Sequence, residues 1–136
     1  YESPTGRYIV VDFGTATTFD LVEAPNRYLG GAITIGPQTA ADALAARTAK
    51  LPRIDLVPPA QVVGKNTLDA LRSGLVLGYA ALVEGMVRRF KEEAGEALVI
   101  ATGGFAETLR DLCPSFDVVD EDLTLKGLLR IHKGQG

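Results

Sequence analysis

Residues Tyr8 to Val22 read YIVVDFGTATTFDLV, and this stretch decides the fold. Tyr8 to Phe13 (YIVVDF) is rich in β-branched and aromatic residues, and Thr17 to Val22 (TTFDLV) follows after only Gly14, Thr15 and Ala16. Two strand-forming runs joined by a three-residue, glycine-containing loop predict a hairpin. After the turn signal Ala24-Pro25-Asn26, Tyr28 to Ile35 (YLGGAITI) reads as a third strand, with Gly30 and Gly31 marking a bulge or a close backbone approach. Three strands therefore open the domain as an antiparallel meander.

Downstream the period changes. Thr39 to Thr48 (TAADALAART) is helical by propensity, starting near Gly36-Pro37 and closing before Pro52. Pro52 to Val63 holds three prolines and no period, and so reads as a loop. Asn66, with Asp69 three positions on, predicts the start of a long helix that stops at Gly95. Leu68, Leu71, Leu75, Tyr79, Leu82, Met86 and Phe90 follow one helical face, and Val76, Val83 and Val87 add a second, so burial on two sides is expected. Ala97 to Ala101 reads as a buried strand, Thr102-Gly103-Gly104 as a turn and Ala106 to Leu112 as a short helix. Ser115 to Val119 then reads as a strand and Leu123 to His132 as a closing helix. An antiparallel meander followed by alternating strands and helices predicts an α/β layer fold, with a mixed sheet of three plus two strands and helices packed on it.

The 136 residues are 46% hydrophobic and 23% charged, enough for one domain with its own core. The formal net charge of −3 supplies no general basic field for phosphate backbones, which argues against nucleic acid as a partner. Ser73 to Val87 is too short an apolar run to span a bilayer and is interrupted by Glu84, so no membrane association is expected. Cys113 is the single cysteine and reads as a small core residue in a reducing compartment, which predicts a cytoplasmic protein. His132, the single histidine, reads as solvated surface, and no Cys/His/Asp cluster has zinc-ligand spacing. The chain begins with Tyr1, not methionine, close to its first strand, as a cut fragment would.

The sharpest chemical signal is Asp12-Phe13-Gly14-Thr15-Ala16-Thr17-Thr18. An acid ending a buried strand, followed at once by a glycine turn lined with hydroxyls, can hold phosphate: backbone N–H groups form a nest for the oxygens and threonines add donors. Asp12 cannot bind phosphate itself, so its role there would be to hold a cation or a metal-bound water. A plain hairpin in which Asp12 and Thr15 satisfy their own turn fits the local pattern equally well. Ala101-Thr102-Gly103-Gly104, between strand and helix, could let a nucleotide pack on bare backbone, or could simply be a packing device. Gly64-Lys65-Asn66-Thr67 offers donors at the positive end of a helix, and a simple cap explains it as well. Lys65 lacks the glycine spacing of a Walker lysine.

Taken in order, Val10 to Asp20 (VVDFGTATTFD), Tyr28 to Ile33 (YLGGAI), Arg47 to Pro52 (RTAKLP), Gly64 to Thr67 (GKNT) and Ala101 to Gly104 (ATGG) resemble the type III pantothenate kinase family over nearly the whole chain. That family, which includes members named Bvg accessory factors, has the acetate and sugar kinase, Hsp70 and actin architecture of two ribonuclease H-like lobes with ATP between them. The resemblance implies that residues 1–136 are one such lobe, the C-terminal one. It further implies that Asp12 ligates a monovalent cation, potassium or ammonium; that Gly14, Thr15, Gly103 and Gly104 lie at ATP, which carries Mg2+; and that Thr67 contacts pantothenate. It implies a homodimer paired through this lobe. The family's proline-before-glycine after the third strand is reversed here, as Ile35-Gly36-Pro37. Its Asp-x-Gly-Asn-Thr loop and the Gly-x-Asp-Arg segment with the catalytic base are expected upstream of Tyr1, so no catalytic residue is assigned within the chain and the isolated chain is expected to be inactive. A non-catalytic regulatory or dimerisation module, or a related kinase with another acceptor, are the alternatives.

Overall fold

A computed structural model of the chain describes residues 1–47, 53–124, 126 and 127. Three antiparallel strands open it: β1 (Arg7–Phe13), β2 (Ala16–Glu23) and β3 (Arg27–Ile35). Helix α1 (Pro37–Arg47) follows. Then α2 (Thr67–Arg72), a π-helical turn (Ser73–Leu77) and α3 (Gly78–Ala94) run on as one rod. Strand β4 (Leu98–Gly103), a single turn of helix α4 (Ala106–Leu109) and the short β5 (Val118–Val119) complete the described elements.

The sheet order is β3-β2-β1-β4-β5, with β4 parallel to both β1 and β5. This mixed five-stranded sheet with helices packed on it is the α/β arrangement that the meander predicted. Strand alternation divides β1 cleanly: Ile9, Val11 and Phe13 are buried in the core, whereas Tyr8, Val10 and Asp12 on the opposite face are half-buried. The core joins Ile9, Val11 and Phe19 of the meander to Val76, Val83 and Val87 of the rod and to Val99 and Ala101 of β4. Phe13 is held edge-on by Phe105 and Phe116, at ring-centroid distances of 5.9 and 6.3 Å.

Glycines behave as the β3 sequence suggests, in two different ways. The β2–β3 register slips between Leu21↔Gly30 and Val22↔Tyr28, leaving Leu29 as the extra residue of a bulge beside Gly30, whose φ is 126°. A Cβ on Gly31 would run into the carbonyl oxygen of Phe19, so that position is the close backbone approach.

The rod starts as its sequence indicates, since Asn66 Oδ1 accepts from the Asp69 amide at 2.8 Å, and it stops at Gly95, φ 87°. Its faces differ from the simple period. Val76, Val83 and Val87 are at most 1% exposed and form the deepest side, while Leu68 is 39% exposed. The π turn explains this: the Gly78 amide bonds to the Ser73 carbonyl, and i→i+5 bonding inserts a residue that rotates the two ends of the rod relative to each other. The rod, Thr67–Ala94, is long and apolar enough to cross a membrane by length and composition, but its apolar face is already packed on the sheet.

Other elements differ from the predicted bounds. Thr102 and Gly103 belong to β4 and not to the turn after it. Helix α4 ends at Leu109 instead of Leu112, because the main chain there tightens into i→i−3 turns, from the Arg110 amide to the Glu107 carbonyl and from the Leu112 amide to the Leu109 carbonyl. The strand expected over Ser115 to Val119 shrinks to Val118–Val119 because Asp117 clasps Val99 locally. Its amide donates to the Val99 carbonyl at 3.0 Å, and its carboxylate takes the Val99 amide at 2.8 Å. Of the closing helix, Leu123, Thr124, Lys126 and Gly127 are helical. Its remainder with His132, and the segment Thr48 to Pro52, lie outside the described residues.

Candidate functional site

A cleft of about 560 Å³ opens at the end of β1, lined by Phe13, Gly14, Thr15, the first turn of α1, Leu56, Gly104 and Phe105. Two motifs separated by some ninety positions thus share one wall, and the parallel pairing of β1 with β4 is the reason. Phe13 lies opposite Gly103, so both strands deliver their following turns to the same edge of the sheet. The carboxyl ends of adjacent parallel strands are where open α/β sheets hold ligands.

The turn itself is tightly tied. The Gly14 amide donates to the Ala16 carbonyl at 3.0 Å and closes the hairpin from within. The Thr15 carbonyl accepts twice, from the Gly36 amide at 2.9 Å and from Thr39 Oγ1 at 2.8 Å. The Thr15 amide and hydroxyl donate to no protein group among the described residues and remain available to a ligand. The Gly14 amide, engaged in the turn, is not available in that way. Helix α1 contributes as well. Its first main-chain bond is from the Ala40 amide to the Gly36 carbonyl, 2.9 Å, which leaves the Gln38 and Thr39 amides open at the positive end of the helix. Asp42, held by Gln38 Nε2 at 3.1 Å, places a carboxylate on the same wall and limits where a polyanion can lie.

The reversed order Ile35-Gly36-Pro37 has a geometric basis. A Cβ on Gly36 would meet the Gly14 and Thr15 carbonyl oxygens, so glycine is required where α1 abuts the turn, and Pro37 then opens the helix at its first position. Gly103 and Gly104 separate in a similar way. Gly103 has φ 96° and its missing Cβ would strike the Phe13 backbone, whereas a Cβ on Gly104 would meet nothing within 4 Å.

Asp12 stands apart from the cleft, on the opposite face of β1 from Phe13, one residue before the turn. Among the described residues it is in no ion pair. Burial holds its carboxyl above the ordinary aspartate range, and the charge of Asp20 adds to the effect. Asp20 itself accepts from the Tyr28 hydroxyl at 3.1 Å. A half-buried carboxylate without a counter-charge fits a cation ligand, and such a cation would reverse its pKa shift.

Thr67 is not part of this cleft. It is exposed at the start of the rod, next to a smaller hollow of about 240 Å³ lined by residues that include Val63, Gly64, Lys65 and Asp69. Gly64 lies so close to the helix that a Cβ there would be 2.6 Å from the Ala70 Cα. Sequence reasoning passed over Gly36, Thr39 and Phe105; only the helix start at Gly36-Pro37 signalled the first two.

Several known proteins are similar to this chain in sequence or in fold. The sequence model of type III pantothenate kinases matches residues 1–89. A protein of Thermus thermophilus named type III pantothenate kinase is 91% identical over 136 residues, which are 100% of this chain and 54% of that protein. One of the same name from Deinococcus radiodurans is 53% identical over 124 residues, 90% of this chain and 47% of that protein. The chain therefore spans about half the length of these curated relatives. In structure it is similar to a conserved putative Baf family transcriptional activator from Campylobacter jejuni, with a TM-score of 0.67, 22% identity, and coverage of 96% of this chain and 59% of that one. That likeness concerns the fold alone. With about two-thirds of its length matched by the family's own model and a relative 91% identical over all of it, the chain belongs to the type III pantothenate kinase family.

Proposed function

We propose that this chain is the C-terminal lobe of a kinase that transfers the γ-phosphoryl group of ATP to the 4′-hydroxyl of pantothenate. The observation that carries the reading is the meeting of the Gly14-Thr15 turn, the start of α1 and Gly104 around one cleft. Thr15, through its amide and hydroxyl, binds a phosphate oxygen; the α1 amides add their partial positive charge; Gly104 leaves room for the nucleoside. Asp12 holds a monovalent cation, potassium or ammonium, which supplies positive charge next to the polyphosphate. Magnesium arrives with ATP, and no residue of this chain is assigned to it. Thr67 contacts pantothenate from the start of the rod. Phosphoryl transfer demands positioning and charge neutralisation above all, and this lobe supplies both without a base of its own. The base belongs to the other lobe, so the 136-residue chain alone does not turn over.

The whole protein acts in the cytoplasm and as a homodimer in this reading. The long helix does not provide the dimer surface through Val76, Val83 and Val87, because these are buried in the lobe's own core. Exposed apolar side chains remain on the edge strand β3, where Ile33 is 78% exposed, and just before the rod at Val62 and Val63, 72% and 75% exposed.

The test is a coupled ADP-release assay on the full-length protein with ATP, magnesium and potassium. A rate that requires pantothenate supports the kinase. A rate with another acceptor alone moves it to a related kinase, and no rate at saturating substrates leaves a non-catalytic module.

A further inference from the structure

The Thr15 carbonyl is taken up at the start of α1, where two donors hold it: the Gly36 amide at 2.9 Å and Thr39 Oγ1 at 2.8 Å. From this we infer that Thr39 is a positioning residue for ATP, acting through Thr15 and not by contact with the reacting phosphate. The inference rests on the reading of the Gly14-Thr15 turn as a phosphate cradle.

The argument is one of rigid linkage. A peptide unit is planar, so fixing the Thr15 carbonyl also fixes the plane of the Thr15–Ala16 peptide and narrows the ψ of Thr15. The Thr15 amide and the side chain that carries the hydroxyl branch from the same Cα, and among the described residues neither donor has a protein partner. Their direction into the cleft is therefore set by what holds the carbonyl behind them. With the Gly36 amide as its single donor the Thr15 carbonyl would keep some freedom to swing, even though the Gly14 amide closes the turn on the Ala16 carbonyl. The Thr39 hydroxyl, one helical turn further along α1, makes the second point of attachment and removes that freedom. Gly36 cannot carry a side chain without striking the Gly14 and Thr15 carbonyls, so the turn and the helix are in direct contact along this seam. Thr39 is suited to the task because its hydroxyl reaches the Thr15 carbonyl from the first turn of α1. Valine reproduces the shape and lacks the donor; serine keeps the donor and loses the methyl.

The experiment compares Thr39→Val, Thr39→Ser and Thr15→Ala in the full-length protein by steady-state kinetics, with thermal unfolding measured in the absence of nucleotide. Thr39→Val should raise the KM for ATP about fivefold, the equivalent of one ordinary hydrogen bond, with kcat and the KM for pantothenate within about twofold of the parent and the melting temperature unchanged. Thr39→Ser should return the KM for ATP to the parent value. A Thr39→Val protein with the parent KM for ATP, alongside a Thr15→Ala protein whose KM is raised, overturns the positioning role and leaves the phosphate cradle standing. If Thr15→Ala also leaves the KM for ATP unaltered, the cradle fails and the inference with it. A Thr39→Ser protein as impaired as Thr39→Val, or a loss in melting temperature that accounts for the change, makes Thr39 a packing residue and overturns the inference too.

Discussion

Replacing each glycine of the Gly103-Gly104 pair by alanine in turn should separate fold from function within two adjacent residues. At Gly103 two penalties coincide. Its φ of 96° is a conformation that a side-chain-bearing residue adopts at a cost of about 1–3 kcal/mol. The new Cβ would also lie 2.9 Å from both the backbone nitrogen and the carbonyl carbon of Phe13, and nearer still to its oxygen. The obstacle is main chain, in the strand paired with Gly103, so nothing flexible can swing aside. Overpacking of that kind adds about 1–3 kcal/mol. Together Gly103→Ala should cost roughly 2–6 kcal/mol, a large share of the ~5–15 kcal/mol that holds an ordinary domain together. Gly104 has no positive φ and nothing within 4 Å of the added carbon. Gly104→Ala should therefore be neutral or stabilise by up to ~1 kcal/mol, through the lower entropy of its unfolded chain. Its methyl group nevertheless stands on the cleft wall and should raise the KM for ATP severalfold.

Urea unfolding of the chain, followed by far-ultraviolet circular dichroism, reads the first difference, and full-length kinetics the second. Equal stability of the two variants, or a Gly103→Ala protein within about 0.5 kcal/mol of the parent, would refute the close approach of β4 to β1. That result would also remove the register that brings both turns to one edge, because surface changes of no consequence fall in that range.

Asp12→Asn tests the cation site by a sign. Because burial raises the Asp12 pKa above its unfolded value, the native state holds the proton more tightly, and stability declines as pH rises from about 3.9 through the folded pKa. At neutral pH the ionised carboxylate is then a net cost. Without added potassium, Asp12→Asn should melt at or above the parent temperature at pH 7, with the difference vanishing below about pH 3.9, while the potassium dependence of the full-length rate is lost. A lower melting point at pH 7 would mean that the carboxylate has a protein partner. Cys113 offers a test of the core: burial first, then the charge and hydrogen bond of Glu84, push its thiol up to about 12. A thiol reagent at pH 8 should label the chain only in denaturing urea, and stoichiometric labelling of the native chain would show that the α4 side of the core is open.

The meander was legible because its signals are local. Tyr8 to Phe13 and Thr17 to Val22 have the composition of strands, and Gly14 lies in a loop of the right length. The bulge at Gly30 and the close approach at Gly31 were each readable as glycines inside a strand, though which glycine did which was not. What stayed hidden depends on contacts distant in sequence or on a single inserted residue. The π turn at Ser73–Leu77 holds only the weak signal of Ser73-Gly74, so the faces of the rod were read on an unbroken 3.6-residue period, with no indication that the side of Val76, Val83 and Val87 is the deeper. β5 was overextended because Asp117 resembles a strand residue until its carboxylate is seen on the Val99 amide. At the site, Gly14 and Gly104 were each visible as motifs, but their convergence needs the parallel register Phe13↔Gly103, which no local pattern encodes. Thr39 was visible only as one more residue in an alanine-rich helix.

The end of β1 combines a rigid anchor with an unmet charge, and the two depend on each other. Phe13, 5% exposed and gripped by Phe105 and Phe116, fixes the strand at the residue from which the turn departs. Strand alternation then forces Asp12 to the other face, next to Thr18 on β2 and Thr102 on β4 and within the field of Asp20. Nothing in that packing needs a carboxylate: a neutral side chain of the same size would fill the position without the desolvation. The cost is tolerated beside the turn whose threonine amide and hydroxyl lack partners among the described residues. A positive ion held by Asp12 and a negative group held by Thr15 would each satisfy what the protein leaves open, and each would strengthen the binding of the other by charge attraction. The affinity for ATP should accordingly rise with the monovalent cation, and that for the cation with ATP, by the same factor. Asp12→Asn should abolish this reciprocity in the full-length protein, whereas Thr39→Val should weaken ATP binding equally with and without the ion. An Asp12→Asn protein in which potassium still tightens ATP binding would place the ion elsewhere and leave the raised pKa of Asp12 without a functional cause.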